Sequence, residues 1–195
     1  MTKNPVHKRR MKNYFLEAAK EIIMGEGVSA LSVRNVAERA GYSYATLYSY
    51  YRGLTDLISS SLNDFKEECI QHIHEKTEQA APGKENIEQT VMAYVQYFVQ
   101  YPSIYRLFYI EKLPSGKTTE IAAFLLDELY QDDFQLCIKG GVYTKKEAVN
   151  IKERLRYTVS GLLVLYLNRK HPGDYQTFTE NVQREVSHIL DRSES

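Results

Sequence analysis

Residues 43–51 carry seven hydroxyl-bearing side chains and no acid: Ser43, Tyr44, Thr46, Tyr48, Ser49, Tyr50 and Tyr51. Hydroxyls without neighbouring carboxylates suit hydrogen bonding to phosphate oxygens and base edges. They form no catalytic frame. The histidines are His7, His72, His74, His171 and His188. His72 and His74, two apart on a helix, do not share a face. No carboxylate pair or nucleophile stands in a recognisable catalytic arrangement. Asp127-Glu128 and Asp132-Asp133 read as solvated helix faces. Cys69 and Cys137 are far apart and fit neither a zinc spacing nor a disulfide framework. An enzyme, a metal and a cofactor are therefore not expected.

The formal net charge of zero hides an asymmetry. Residues 1–60 hold nine Lys/Arg and five acids, a balance of +4, so the remainder carries −4. Such a split suits a chain with one end on a polyanion. Lys8 and Arg9 belong to a basic, acid-free N-terminal arm. Such an arm either lies along phosphates or serves only as a solubilising terminus.

The elements that must position the hydroxyls are legible locally. Ser32 stands before an apolar stripe of Val33, Val36, Ala37 and Ala40, where its oxygen can cap a helix. Gly41 follows the stripe, where a left-handed backbone costs little. Ser43 can cap a second helix two residues later, and Leu47 points back to the first. Two short helices with a tight turn make a helix-turn-helix. They need flanking helices for a core. One runs from about residue 8 to 24, with Phe15, Ala18, Ala19, Ile22 and Ile23 on its apolar face. Another starts at Leu54 and runs to about residue 74.

Further helices are expected at about 84–100, 102–110, 118–138, 144–169 and 175–190. Thr144 with Glu147 forms a reciprocal cap. Residues 158–167 are apolar nearly all round, which requires burial on both sides. The reading is all-α, with about nine helices. A three-helix helix-turn-helix domain at 1–52 precedes a larger helical domain at 53–195, with the helix from about 54 to 74 connecting them. No run of about twenty apolar residues and no signal-peptide core is present, so a cytoplasmic protein without membrane contact is expected.

The first 57 residues closely resemble the DNA-binding domain of the TetR family of bacterial regulators. The matching pattern is Phe15-x-x-Ala18-Ala19, Gly27, Ser32-Val33-Arg34-x-Val36-Ala37-x-x-Ala40-Gly41-x-Ser43, Leu47-Tyr48-x-x-Tyr51 and Leu57. The resemblance implies that Ser43, Tyr44, Ala45, Thr46, Tyr48, Ser49 and Tyr50 form the surface that enters a major groove. It adds Ser32, Arg34 and Arg52 as backbone-contacting candidates. Two positions depart from the pattern: Ala45, and Leu54 where a phosphate-contacting lysine is usual.

The family works as homodimers on palindromic operators, which implies a four-helix interface of the last two helices. The candidates are Thr158, Gly161, Leu162, Leu165, Phe178, Val182, Val186 and Ile189. The family's larger domain holds a small-molecule pocket. The candidates are Tyr94, Tyr97, Phe98, Tyr101, Tyr105, Phe108, Tyr109, Phe124 and Tyr157, which would suit a mainly apolar or aromatic effector. The implied activity is a ligand-responsive repressor. A constitutive helix-turn-helix DNA-binding or interaction protein without an effector is the alternative.

Overall fold

A computed structural model describes residues 5–112 and 125–191. Among the described residues the secondary structure is helical throughout, with ten α-helices. They are α1 (Pro5–Glu26), α2 (Val33–Arg39), α3 (Tyr44–Tyr48), α4 (Leu54–Thr77), α5 (Lys84–Gln100), α6 (Pro102–Tyr109), α7 (Leu125–Leu129), α8 (Gln131–Lys139), α9 (Lys145–Leu167) and α10 (Tyr175–Asp191). The helix expected over 118–138 is two helices where it is described, separated at Tyr130. Its earlier part, with Phe124, lies outside the described residues.

By its contacts the chain divides into two units, Met1–Glu67 with Tyr101–Ala123, and Glu68–Gln100 with Phe124–Ser195. This division falls within α4, further along than the expected boundary near residue 52. The reason is that the first turns of α4 bury Leu57, Ile58, Leu62 and Phe65 together with the N-terminal helices.

The first unit is built on α1. Phe15, Ala19, Ile22 and Ile23 are almost wholly buried. Recurring at helical spacing, they make the face on which α2 and α6 pack. Ser103 on α6 donates to the Met24 carbonyl at 3.2 Å. Lys20 is buried within the unit and ion-paired with Asp64, its ammonium 5.3 Å from the Phe65 ring centre. Breaking such a pair costs several kcal/mol, about 3–5, because it leaves a buried charge uncompensated.

The second unit packs α5 against α8, α9 and α10. Asp133 is buried and accepts from the Gly83 N–H at 2.7 Å and from Asn86 Nδ2 at 2.6 Å, fixing the start of α5. Tyr143 donates to the Leu190 carbonyl at 2.8 Å, tying the end of α10 down. Tyr166 stacks on Phe178 with ring centres 4.1 Å apart. The capping box at Thr144 and Glu147 is formed in both directions. No helix among the described residues is long and apolar enough to cross a membrane.

Candidate nucleic-acid interface

The turn between α2 and α3 forms as its residues dictate. Ser32 Oγ accepts from the Asn35 N–H at 3.1 Å, capping α2. Gly41 adopts φ 77°, the left-handed region that a side chain resists. Ser43 Oγ accepts from the Thr46 N–H at 3.1 Å, capping α3. Leu47, fully buried, is the pin that holds α3 against the rest of the unit.

The side chains displayed by α3 are then fixed. Tyr44 is 64 % exposed and Tyr48 55 %, and Ser43, Ala45 and Ser49 are exposed as well. Thr46 is half-buried. Tyr50 does not belong to this surface. It is 8 % exposed, with its ring centre 6.0 Å from that of Phe15. Ser49 keeps right-handed helical dihedrals, and Tyr50 and Tyr51, three and four residues after the buried Leu47, fall on its inward face. Tyr51 is buried too, and its hydroxyl donates to the Lys12 carbonyl at 3.2 Å. Burial, and then the charge of Asp56, push its hydroxyl pKa up to about 12.

The cations sort themselves by partner. Lys8, Arg9, Arg34 and Arg52 are exposed. Arg39 pairs with Glu26 at 2.6 Å and Glu21 at 3.7 Å, which holds it on the α1 side of α2. At the position of the missing lysine, Leu54 opens α4, while the Arg52 N–H donates to Asp56 at 3.0 Å. Lys8 and Arg9 lie on α1 itself, which begins at Pro5. The arm is therefore helical where it is described.

Sequence reasoning passed over Tyr42. It is exposed beside the equally exposed Tyr14, ring centres 6.2 Å apart, next to the turn. Its place immediately after the left-handed glycine is the signal that it stands outside the α2 stripe.

The described candidate pocket residues fall in both units. Tyr101, Tyr105, Phe108 and Tyr109 belong to the first unit, and Tyr94, Tyr97, Phe98 and Tyr157 to the second. Tyr94, Tyr97 and Phe98 are buried against one another, with Phe98 at 4.7 Å from Tyr94 and 5.3 Å from Tyr97. Tyr157 is 66 % exposed on α9. A cavity of about 780 Å³ does open in the second unit, and none of the eight candidates among the described residues lines it. Its walls are Ile70, Ile73, Leu129 and Thr90, with the carboxylates of Glu75, Glu78, Glu128, Asp132 and Asp133 and the ring of His74. The acidic pairs on α7 and α8, read as solvated faces, contribute Glu128, Asp132 and Asp133 to it.

The candidate interface residues also separate. Phe178, Val182, Val186 and Ile189 are buried in the core of their own unit. Helical periodicity marks α10 as two-faced without saying what its apolar face covers. On α9, Gly161 and Leu165 are exposed and Thr158 and Leu162 half-buried. A side chain at Gly161 would meet nothing within 4 Å.

The family model described as bacterial regulatory proteins, tetR family, matches residues 15–60, which span most of α1, the turn and the start of α4. No curated protein matches the chain. Among solved structures, a TetR family transcription regulator from Marinobacter aquaeolei VT8 superposes with TM-score 0.69 at 17 % identity, over 96 % of this chain and 97 % of that one. A TetR/AcrR family regulator from Thermobifida fusca YX-ER1 gives TM-score 0.62 at 16 % identity, over 94 % and 98 %. A protein of unknown function from Rhodococcus sp. RHA1 gives 0.76 at 17 %, over 92 % and 93 %. At such identities the structures speak for the shared fold, and the match over the helix-turn-helix speaks for the family. Residues 15–60 of this chain are matched by the tetR family of bacterial regulatory proteins, and nearly the whole chain shares the fold of TetR-family regulators of known structure.

Proposed function

We propose that the chain is a homodimeric repressor that binds a palindromic operator and is released by a small-molecule effector. The observation that carries the reading is the acid-free surface of α3, held outward by Leu47 and two serine caps. A groove lined with phosphates accepts such a surface. The exposed Lys8, Arg9, Arg34 and Arg52 supply the sequence-independent attraction. The open face of α9 supports a second copy, and two-fold symmetry of the protein demands two-fold symmetry in the site.

For the effector, the cavity of the second unit is the candidate. Among the described residues α4 is the one helix common to both units, because the division falls at Glu67 within it. An effector can release DNA only by preferring the arrangement that binds DNA less well. Footprinting on the promoter of its own gene should show half-sites about one helical turn or more apart. Sedimentation that finds only monomer at micromolar concentration would overturn the reading.

The alternative is a constitutive DNA-binding protein without an effector. Linkage separates the two. A candidate effector should bind with a weaker Kd in the presence of operator duplex than in its absence. Equal constants would favour the constitutive reading.

A further inference from the structure

We propose that α3 reads A·T base pairs through the C5-methyl groups of thymine, with the methyls of Ala45 and Thr46 as the protein side of the contact. The inference rests on the DNA-binding reading above and adds what the binding is specific for.

The strong hydrogen-bonding readers of base edges are Arg and Lys for guanine and Asn and Gln for adenine. Residues 43–51 contain none of the four. The hydroxyls of Ser43 and Thr46 are partly engaged. Ser43 Oγ accepts from the Thr46 N–H at 3.1 Å and lies 2.9 Å from Thr46 Oγ1, so one of the two hydroxyl protons is used within the turn. Beyond a hydroxyl partly engaged in the turn, Thr46 offers a base its methyl group. Ala45, exposed beside it, has nothing else.

The tyrosines do not restore a purine code. Tyr44 and Tyr48 are exposed and long, and a phenol makes one hydrogen bond where guanine or adenine recognition takes two. They suit the phosphates on either side of the groove. Within residues 32–51 the only cations are Arg34 and Arg39. Arg39 is held by Glu26 and Glu21, and Arg34 sits on α2. A guanine read by this motif would therefore be read by Arg34, away from the pairs that α3 faces. Small apolar groups in the major groove find their complement in the thymine methyl, the one apolar group that a base pair presents there.

The test starts with the full-length protein and a randomised duplex pool. Selected sites are resynthesised with single thymines replaced by deoxyuridine, which removes only the methyl. One or more replacements in each half-site should weaken binding about fourfold, the effect of one buried methyl. Thr46→Ser keeps the hydroxyl pair with Ser43 and deletes the protein methyl. In that variant the uracil penalty at one position should vanish, while the penalties elsewhere stay. Ala45→Gly should do the same at a neighbouring position, with a thermal melt confirming that it folds. A selected site indifferent to uracil throughout would overturn the inference and leave sequence-specific binding intact. So would a guanine at the position that Thr46→Ser affects. A pool that enriches no sequence would overturn the DNA-binding reading as well.

Discussion

Tyr48 and Tyr50 stand two residues apart and do different work. Tyr48 is exposed on α3, whereas Tyr50 is packed near Phe15 in the core of the first unit. Tyr50→Ala should therefore cost about 3 kcal/mol of stability, the range for a buried aromatic. Tyr48→Ala should change stability by no more than about 0.5 kcal/mol. It should weaken operator binding more than binding to random duplex. Thermal melts and paired titrations of the two variants separate the roles. Lys8 and Arg9 are a different case, since both are exposed on α1. Replacing both with Ala should weaken specific and non-specific binding alike. The slope of log affinity against log salt should flatten by about two, one lost phosphate contact for each. An unchanged slope would return them to a solubilising role.

At the scale of elements, the start of α9 offers a measurement that DNA does not complicate. The Glu147 carboxylate accepts from the Thr144 N–H at 2.6 Å, while Thr144 Oγ1 accepts from the Glu147 N–H at 3.2 Å. These hydrogen bonds with Thr144 hold the Glu147 carboxyl below its ordinary value. A depressed carboxyl stabilises the fold while ionised. Its contribution is complete above the unfolded-state value and is lost as pH falls through the folded-state value. Glu147→Gln keeps an acceptor and cannot titrate. Its denaturation midpoint should therefore fall less than that of the wild type between about pH 6 and pH 3. Thr144→Ala, which removes the cap, should cost about 1 kcal/mol at neutral pH.

For the whole molecule, the surface proposed to meet a second copy is the outer face of α9. Tyr157, Gly161 and Leu165 recur every four residues and are all exposed, so they form one stripe. Leu165 is 46 % exposed, which means that a change there tests association more than folding. Leu165→Arg should shift sedimentation from dimer to monomer with little change in melting temperature at low concentration. It should also reduce operator affinity sharply, because the two heads then bind without being joined. A variant that remains dimeric would move the interface elsewhere.

The N-terminal reading and the helix signals came from local chemistry. Ser32, Gly41, Ser43, Thr144 and Glu147 act on backbone groups within four residues of themselves, so their spacing alone places the caps and the turn. The all-α fold followed for the same reason, since apolar residues at a period of 3.6 define helices wherever they lie. That period marks an apolar face without naming its partner. Phe178, Val182, Val186 and Ile189 had the stripe expected of an interface, and the tertiary structure buries them in their own unit. Tyr50 is one of the hydroxyls expected on the surface, but it lies three residues after Leu47 and shares that residue's buried face. The acidic pairs of α7 and α8 became cavity walls only when the fold set them beside the last turns of α4. Contacts between residues far apart in sequence decided these cases, and such contacts depend on how the faces of different helices meet.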